Sequence, residues 1–422
     1  MKPILIPVLI LLVSGLPLAG QKFQPKSIQF KGDSEYSDQE LMQAAGLKQG
    51  AILTNAEMNE HSQRLMDSGV LNGLTFKFDG QDLIFQLTPS AQMFPIRLEN
   101  LPLTQGKELD AKLHELFPLY HGKVPSDGGL LENVRGALEE MLASQGIKAA
   151  VTATPYSDLK LNKVTLMSFT ITDPPVVLGE VRVDGSAPMG DSKVQEILAR
   201  LSGAPFNFEG SPRQIEVNLG NYYRDKGYLE AEVHATAQPK AIVSAESVRV
   251  PFLAAINPGT LYKIEKIELA PTLIVSQADF NRQANIHPGD LADAPRIREN
   301  WQFIARQYHN RGYMKAQIEP TPSFNRADGT VKYTVAVEPG PVYSMGALSI
   351  ENVSDSLRTT MLGAWKLPAG AIFNESAILS FYAIGDANPT LARLFAAVNC
   401  KSIMTLNDEN HTVDVKLRLE KK

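Results

Sequence analysis

Residues 222–233 read YYRDKGYLEAEV, and residues 308–318 read YHNRGYMKAQI. Both stretches contain an aromatic residue, a polar run, a Gly-Tyr pair and then alternating small and apolar residues. The two glycines, Gly227 and Gly312, are 85 residues apart. Repetition at this distance indicates an internal structural repeat, which has to be settled before the rest of the chain is interpreted.

Each stretch predicts the end of a helix followed by a strand. Before Gly312, apolar residues recur at the spacing of one helix face, at Ile297, Trp301, Ile304 and Tyr308. Glycine adopts the left-handed conformation that ends a helix at little cost, so Gly312 is the predicted cap. The residues after it alternate with the period of two that is typical of a strand.

Weaker copies of the pattern lie at residues 54–78, 126–154 and 388–406. The predicted caps of the five copies are Gly69, Gly146, Gly227, Gly312 and Asn399. Asparagine tolerates the left-handed conformation better than most residues other than glycine, which favours Asn399 in the last copy. Successive caps are 77, 81, 85 and 87 residues apart, so five copies fill the chain after its first 20 residues.

A second periodic signal is in phase with the first. Each copy opens with an alternating strand, has a shorter helix before the long one, and closes with a further strand that completes a hairpin. The order predicts an α+β fold of five tandem β-α-α-β-β domains, each a three-stranded mixed sheet covered on one face by two helices, in an elongated string. The predicted domains are residues 21–90, 91–175, 176–259, 260–341 and 342–422.

The first 20 residues read as a signal peptide. Lys2 precedes an apolar run over residues 4–13, and small residues lead to a predicted cleavage near Gly20-Gln21. An uncleaved membrane anchor is the alternative, although the run is short for a span of about 20 residues. Position 21 is Gln, so the sequence does not predict a lipoprotein.

Composition excludes several classes of function. The net charge is −5 and no basic stripe occurs, so nucleic acid is not an expected partner. Cys400 is the single cysteine, which allows no internal disulfide; we interpret it as a small, buried apolar residue. Metal, nucleotide and nucleophile motifs are missing from the sequence, so we predict no enzyme, no cofactor, no metal and no small-molecule substrate. His114 and His121 are seven residues apart and are a weak metal pair if they share a helix face.

The repeats resemble POTRA domains, the polypeptide-transport-associated repeats. The resemblance rests on the junctions GPVYSMGALSIEN (340–352), NPGTLYKIEKIELA (257–270) and PPVVLGEVRVDG (174–185), and on the RDKGY and HNRGY stretches. POTRA strings form the periplasmic arms of outer-membrane barrel proteins similar to BamA and TamA. Here the sequence given ends after the last predicted strand, so the resemblance covers the arm and not a barrel.

The resemblance implies binding at sheet edges. The second strand of each repeat is the edge that the family offers, and an extended client adds itself there as a further strand. The predicted strands are 148–154, 229–235 and 314–319, with small or mildly polar residues that let another backbone approach. The candidate binding residues are Ala149, Val151, Ala231, Val233, Ala235, Ala316 and Ile318. The alternative is that small residues only pack under the helices.

The predicted function is that of a periplasmic binding or scaffold protein for outer-membrane protein assembly or secretion. Expected partners are unfolded outer-membrane proteins, an outer-membrane barrel or an assembly complex, with membrane association through the partner. One alternative is a structural envelope adaptor between folded partners, and another is an envelope enzyme with a divergent site. Affinity for extended strand peptides separates client binding from the adaptor role.

Overall fold

A computed structural model describes residues 22–32, 35–158, 160, 162–185 and 192–421. The predicted signal peptide and its cleavage site lie outside the described residues. Among those described, every helix is too short or too polar to cross a bilayer. The chain divides into two compact units. One unit contains the residues up to Asp184, a second segment that ends at Glu216, and His234–Ala255. The other unit contains Val217–Val233 and the residues from Ile256 onward.

The first repeat forms a three-stranded sheet with two helices and a small additional strand pair. β2 runs parallel to β5, and β4 is antiparallel to β5, so β5 is central. Both helices begin with a capping box, Ser37 with Glu40 and Thr54 with Glu57. The elements are β1 (Lys22–Phe23), β2 (Ser27–Lys31), α1 (Asp38–Ala45), β3 (Leu53–Thr54), α2 (Asn55–Asp67), β4 (Leu71–Phe78) and β5 (Asp82–Pro89).

The second repeat has the same order and gains one strand. Its elements are β6 (Met93–Leu98), α3 (Lys107–Leu116), β7 (Lys123–Pro125), α4 (Gly129–Ser144), β8 (Val151–Asp158) and β9 (Lys163–Ile171). The strand order is β7-β6-β9-β8. The extra strand, β7, lies in the irregular stretch after the first helix and pairs antiparallel with β6. This sheet therefore has four strands, where three were predicted.

The third repeat also gains a short strand. Its elements are β10 (Val176–Gly185), α5 (Ser192–Leu201), α6 (Gly210–Asp225), β11 (Glu232–Ala237), β12 (Ile242–Val243) and β13 (Val248–Asn257). The strand order is β10-β13-β11, and β12 pairs antiparallel with β13. The last strand of the repeat, β13, has a neighbour on both sides, as β5 and β9 do in the first two repeats.

The fourth repeat keeps the three predicted strands and two helices. Its elements are β14 (Lys263–Leu269), α7 (Gln277–Gln283), α8 (Ala294–His309), β15 (Gln317–Asn325) and β16 (Thr330–Glu338). β16 is central, parallel to β14 and antiparallel to β15. The predicted helix face is confirmed, because Ile297, Ile304 and Tyr308 are buried in one cluster with Phe280 and Val335.

The fifth repeat has a broken second helix. Its elements are β17 (Ser344–Glu351), α9 (Asp355–Ala364), α10 (Ser376–Ala387), α11 (Pro389–Ala397), β18 (Val398–Asn407) and β19 (Thr412–Lys421). The order is β17-β19-β18, with β17 parallel to β19. Asn388 caps α11 and Pro389 opens it; a proline disfavours helical backbone at the residue before it, so the helix is interrupted there.

Asn399 is not a helix cap, contrary to the prediction. It is the second residue of β18, where it pairs with Glu420. α11 ends at Ala397 and the chain passes directly into extended backbone at Val398. The four predicted glycines do have left-handed backbone, with φ of +83° at Gly69, +84° at Gly146, +89° at Gly227 and +85° at Gly312.

Two of these glycines contact the start of the following repeat. The carbonyl of Gly227 accepts the backbone N–H of Tyr262 at 2.9 Å, and that of Gly312 accepts the N–H of Tyr343 at 2.8 Å. Two residues after each glycine, Leu229 packs against the core of the fourth repeat and Met314 packs against that of the fifth. The Gly-Tyr stretch thus ends one repeat and seats the next.

The α+β class and the five β-α-α-β-β repeats are confirmed by these elements and sheets. The predicted domain boundaries lie in short connections, such as the one between β5 and β6 and the one between β16 and β17. The division of the chain into five domains at these boundaries stays a prediction.

Candidate functional site

The predicted binding strands lie at sheet edges. β8, β11 and β15 each end the strand order of their sheet, as do β4 and β18. An edge strand has one row of backbone N–H and C=O groups that no neighbouring strand of its sheet uses. The fold therefore puts the strand that follows the last helix of every repeat where an added strand can pair with it.

The candidate residues do not all lie in these strands. Within β8, β11 and β15 lie Val151, Val233, Ala235 and Ile318; before the strands lie Ala149, Ala231 and Ala316. The strands begin three residues later than predicted, and before β11 and β15 the chain first makes a turn after the glycine. In that turn the N–H of Ala231 donates to Tyr228 at 3.0 Å, and the N–H of Ala316 donates to Tyr313 at 3.2 Å.

Burial gives the small residues a packing role. Val151, Ala231, Val233 and Ala235 are between 3% and 9% exposed, whereas Ala149, Ala316 and Ile318 are half-buried. The buried side chains face the interior, so their small size fits close packing under the helices. Any approach by another strand at these edges uses the backbone and not these side chains.

In β11 a carboxylate covers part of the open edge. Glu216 of α6 accepts the backbone N–H of Ala235 on Oε1 at 3.0 Å. Backbone N–H groups of alternate residues point to the same side of a strand, so those of Val233 and Ala237 point the same way as that of Ala235. The N–H of Gln238 points to the other side of the chain, where it donates to the carbonyl of Pro251 in β13 at 2.8 Å. That side therefore faces the neighbouring strand of the same sheet. The Val233, Ala235 and Ala237 donors therefore face the open edge.

β8 has a similar cover but a shorter set of donors. Glu139 of α4 accepts the N–H of Val151 on Oε1 at 2.8 Å. Pro155 lies four residues further, on the same side of the strand, and has no N–H. The open edge of β8 is therefore interrupted.

β15 is the weakest of the three edges. It contains Pro320 and Pro322, which oppose Val335 and Tyr333 of β16. Pro320 is eight residues after its glycine, as Ala235 is after Gly227, so the missing N–H groups fall on the open side. Proline in a sheet is confined to such edge positions, where it also discourages pairing. Of the three predicted edges, β11 alone contains no proline.

Two features distinguish these edges: the prolines within the strands and the carboxylates that bond to edge N–H groups. The sequence indicated only the prolines. The prolines were readable, since a proline within an alternating run demotes that run as a pairing strand. The contact from Glu216 to Ala235 spans 19 residues and crosses from helix to strand, so no local pattern indicates it.

Cys400 is half-buried in β18. Burial raises the pKa of its thiol, which keeps the unreactive protonated form. This agrees with its interpretation as a packing residue.

A family model matches two of the repeats. The POTRA family, described as "Surface antigen variable number repeat", matches residues 25–89 and 262–340. The POTRA family model therefore matches two of the five repeats. The two matches cover the first and fourth repeats, and the third β-α-α-β-β repeat contains the β11 edge.

Several solved structures are similar to this chain at low identity. BamA POTRA3-5 from Haemophilus influenzae is 18% identical, with 58% of this chain and 96% of that one covered and a TM-score of 0.43. The N-terminal domain of Omp85 from Thermosynechococcus elongatus is 17% identical, with 60% and 99% covered and a TM-score of 0.25. CdiB from Escherichia coli is 13% identical, with 57% and 37% covered and a TM-score of 0.21.

Proposed function

We propose that this POTRA-repeat chain is a periplasmic binding protein for outer-membrane protein assembly or secretion. It captures extended client strands, or docks on a barrel, by adding a strand to a sheet edge. The single observation that supports this best is the β11 edge, which has outward N–H groups at Val233, Ala235 and Ala237 and no proline. Five domains with the boundaries 21–90, 91–175, 176–259, 260–341 and 342–422 form part of the proposal.

The edge favours a client by its shape and not by its sequence. An added strand gains main-chain hydrogen bonds whatever its side chains are, which suits a binder of many different barrel strands. At Ala235, a client carbonyl takes the place of the Glu216 carboxylate oxygen. The carboxylate then returns to water, so binding exchanges one acceptor for another instead of leaving a donor unpaired.

Partner and location follow from the same proposal. The partners are unfolded outer-membrane proteins, an outer-membrane barrel or an assembly complex, and the chain reaches the membrane through them. The periplasmic location rests on the family and on the predicted signal peptide at residues 1–20. The role is binding and not catalysis.

Replacing Val233 by proline tests the edge. Val233→Pro removes one outward N–H, whereas the matched control Val233→Ala makes a comparable change in side-chain packing and keeps the N–H. One hydrogen bond is worth about 0.5–1.5 kcal/mol, so peptides with alternating apolar residues should bind Val233→Pro roughly 2- to 10-fold more weakly than Val233→Ala. Calorimetry gives the affinities, and NMR shifts at 232–237 locate the peptide.

Two results would overturn the proposal. Strand peptides that leave the NMR spectrum unchanged exclude client capture and favour the structural adaptor. Equal affinities for the proline and alanine variants show that peptides bind somewhere other than the β11 edge.

A further inference from the structure

Three potential metal ligands meet between the first and second repeats. Glu40 lies in α1, His114 lies near the end of α3, and His121 lies in the loop after α3. Nε2 of His121 is 2.9 Å from Oε1 of Glu40, and Nε2 of His114 is 3.7 Å from the same oxygen. One ligand atom from each residue lies within 4.8 Å of the others.

The sequence allowed the two histidines to share a helix face, but in the structure they do not. α3 ends at Leu116, and the chain turns back through a hydrogen bond from the Tyr120 N–H to the Phe117 carbonyl, at 2.8 Å. The turn returns His121 to His114, with ring centroids 5.2 Å apart. Glu40 is 81 residues away from His121 in sequence, so spacing could not have predicted it.

Other groups already orient the side chains of Glu40 and His114. Oε2 of Glu40 accepts from the backbone N–H of Ser37 at 2.7 Å and from its hydroxyl at 2.8 Å, which leaves Oε1 for the histidines. Nδ1 of His114 is 2.9 Å from the carbonyl of Tyr120, which can only accept. Nδ1 therefore carries the proton, and the Nε2 lone pair faces Glu40. Metal-binding histidines are commonly held by such a second bond.

The spacing suits a tetrahedral ion. Zinc binds imidazole nitrogen and carboxylate oxygen at about 2.0–2.2 Å, which separates neighbouring ligand atoms by about 3.3–3.6 Å. The observed 2.9 and 3.7 Å lie on either side of that range. Two imidazoles and one carboxylate are a known zinc ligand set with an open fourth position. They offer too few oxygens for calcium or magnesium.

The cluster is accessible to an ion. The side chain of Glu40 is 20% exposed, that of His121 28% and that of His114 47%. A cleft lined by Ser37, Gln43, Glu115 and Pro118 leads to it. Water can fill the fourth position, and the ion needs no opening of the fold to enter.

We propose that Glu40, His114 and His121 bind a zinc ion that fastens the first repeat to the second. The ligands come from both repeats, so the ion binds fully only when the two are in contact. Binding energy is then also energy that stabilises the contact. The proposal is independent of strand binding at β11.

Zinc titration of the whole chain, free of any affinity tag and pretreated with chelator, tests the site. The variants keep the local hydrogen bonds. Glu40→Gln retains the helix cap, His114→Asn retains a donor for Tyr120, and His121→Gln retains a donor for Glu40. His234→Gln, at an exposed histidine of β11, is the control. We expect one zinc per wild-type chain, at least tenfold weaker binding in each cluster variant, and no change in the control.

Cobalt gives a second measurement. Co²⁺ at this site should show the visible absorption bands of tetrahedral coordination in the wild type and the control, but not in the cluster variants. Circular dichroism confirms that each variant is folded, and any one folded variant is sufficient. The proposal fails if calorimetry detects no stoichiometric zinc in the wild type, or if the folded variants bind zinc as tightly as the wild type does. The cluster is then only a hydrogen-bonded contact.

Discussion

The joint between the third and fourth repeats and the joint between the fourth and fifth share one design with reversed charges. Three residues after each glycine stand Glu230 and Lys315. Glu230 binds Arg326 of the next hairpin turn, with nitrogen–oxygen distances of 2.6 and 3.0 Å. Lys315 binds Asp408 of the following hairpin turn at 2.7 Å.

A buried tyrosine completes each joint. The hydroxyl of Tyr262 donates to Glu230, and that of Tyr343 donates to Asp408 at 2.7 Å. The acid belongs to the earlier repeat in one joint and to the later repeat in the other. The backbone frame and the phenol therefore define the joint, and the sign of each charge is free to vary.

The reversal discriminates between neighbours. If the third repeat met the fifth in the same geometry, Glu230 would face Asp408, and two like charges would be brought together. Repulsion of this kind disfavours wrong pairings as effectively as attraction favours right ones. The charges thus disfavour contact between the third and fifth repeats in this geometry.

Alanine substitution of the glycines should show the largest difference in unfolding free energy between the joints. A Cβ at residue 312 would lie 2.8 Å from the carbonyl oxygen of Tyr343, whereas at residue 146 nothing lies within 4 Å. Gly146→Ala should therefore cost only its left-handed backbone, about 1–2 kcal/mol. Gly312→Ala should cost more, because backbone cannot move aside easily. Urea unfolding and hydrogen exchange measure the free energies. Equal costs would show that the close contact between Gly312 and Tyr343 does not hold the fifth repeat against the fourth.

Acid should weaken both joints, with an effect smaller than that of the Gly312 substitution. Hydrogen bonding from Arg326, then from Tyr262, lowers the pKa of Glu230; hydrogen bonding from Lys315, then from Tyr343, lowers that of Asp408. A lowered carboxyl pKa stabilises the fold above the unfolded value, about 4, and this stabilisation is lost as pH falls through the folded value.

Removing the tyrosine hydroxyl at each joint tests whether the acid effect arises at that joint. Tyr262→Phe and Tyr343→Phe should each reduce the pH dependence of hydrogen exchange at their own joint and leave the other joint unchanged. An unaltered pH profile in both variants would show that the phenols do not contribute to the lowered pKa values of Glu230 and Asp408.

Charge reversal should have the smallest effect, since water and salt screen exposed pairs. Glu230→Lys puts two cations together, and adding Arg326→Glu should restore most of the loss. Lys315→Asp with Asp408→Lys is the matching pair at the other joint. A double-mutant cycle on urea midpoints, at low and high salt, measures each coupling. Couplings that salt does not reduce would contradict an electrostatic origin.

Much of the fold was predictable because its signals are local. Helix periodicity, the glycines at 227 and 312, and the alternation after them identified the repeats and their order, whereas the resemblance to POTRA domains implied which strands lie at sheet edges. The errors were also local in kind. Asn399 was assigned to a cap although the apolar alternation around it suits a strand equally, and the predicted starts of β8, β11 and β15 were three residues too early.

The sequence by itself determined five β-α-α-β-β repeats, because the 3.6- and 2-residue periods and glycine backbone are properties of short segments. Tertiary structure alone decided which edge N–H groups are open, how Glu230 and Lys315 are paired, and that Glu40 meets His114 and His121. These contacts join residues between 19 and 96 positions apart. Their distances depend on how the elements pack, and no local pattern of residue types carries that information.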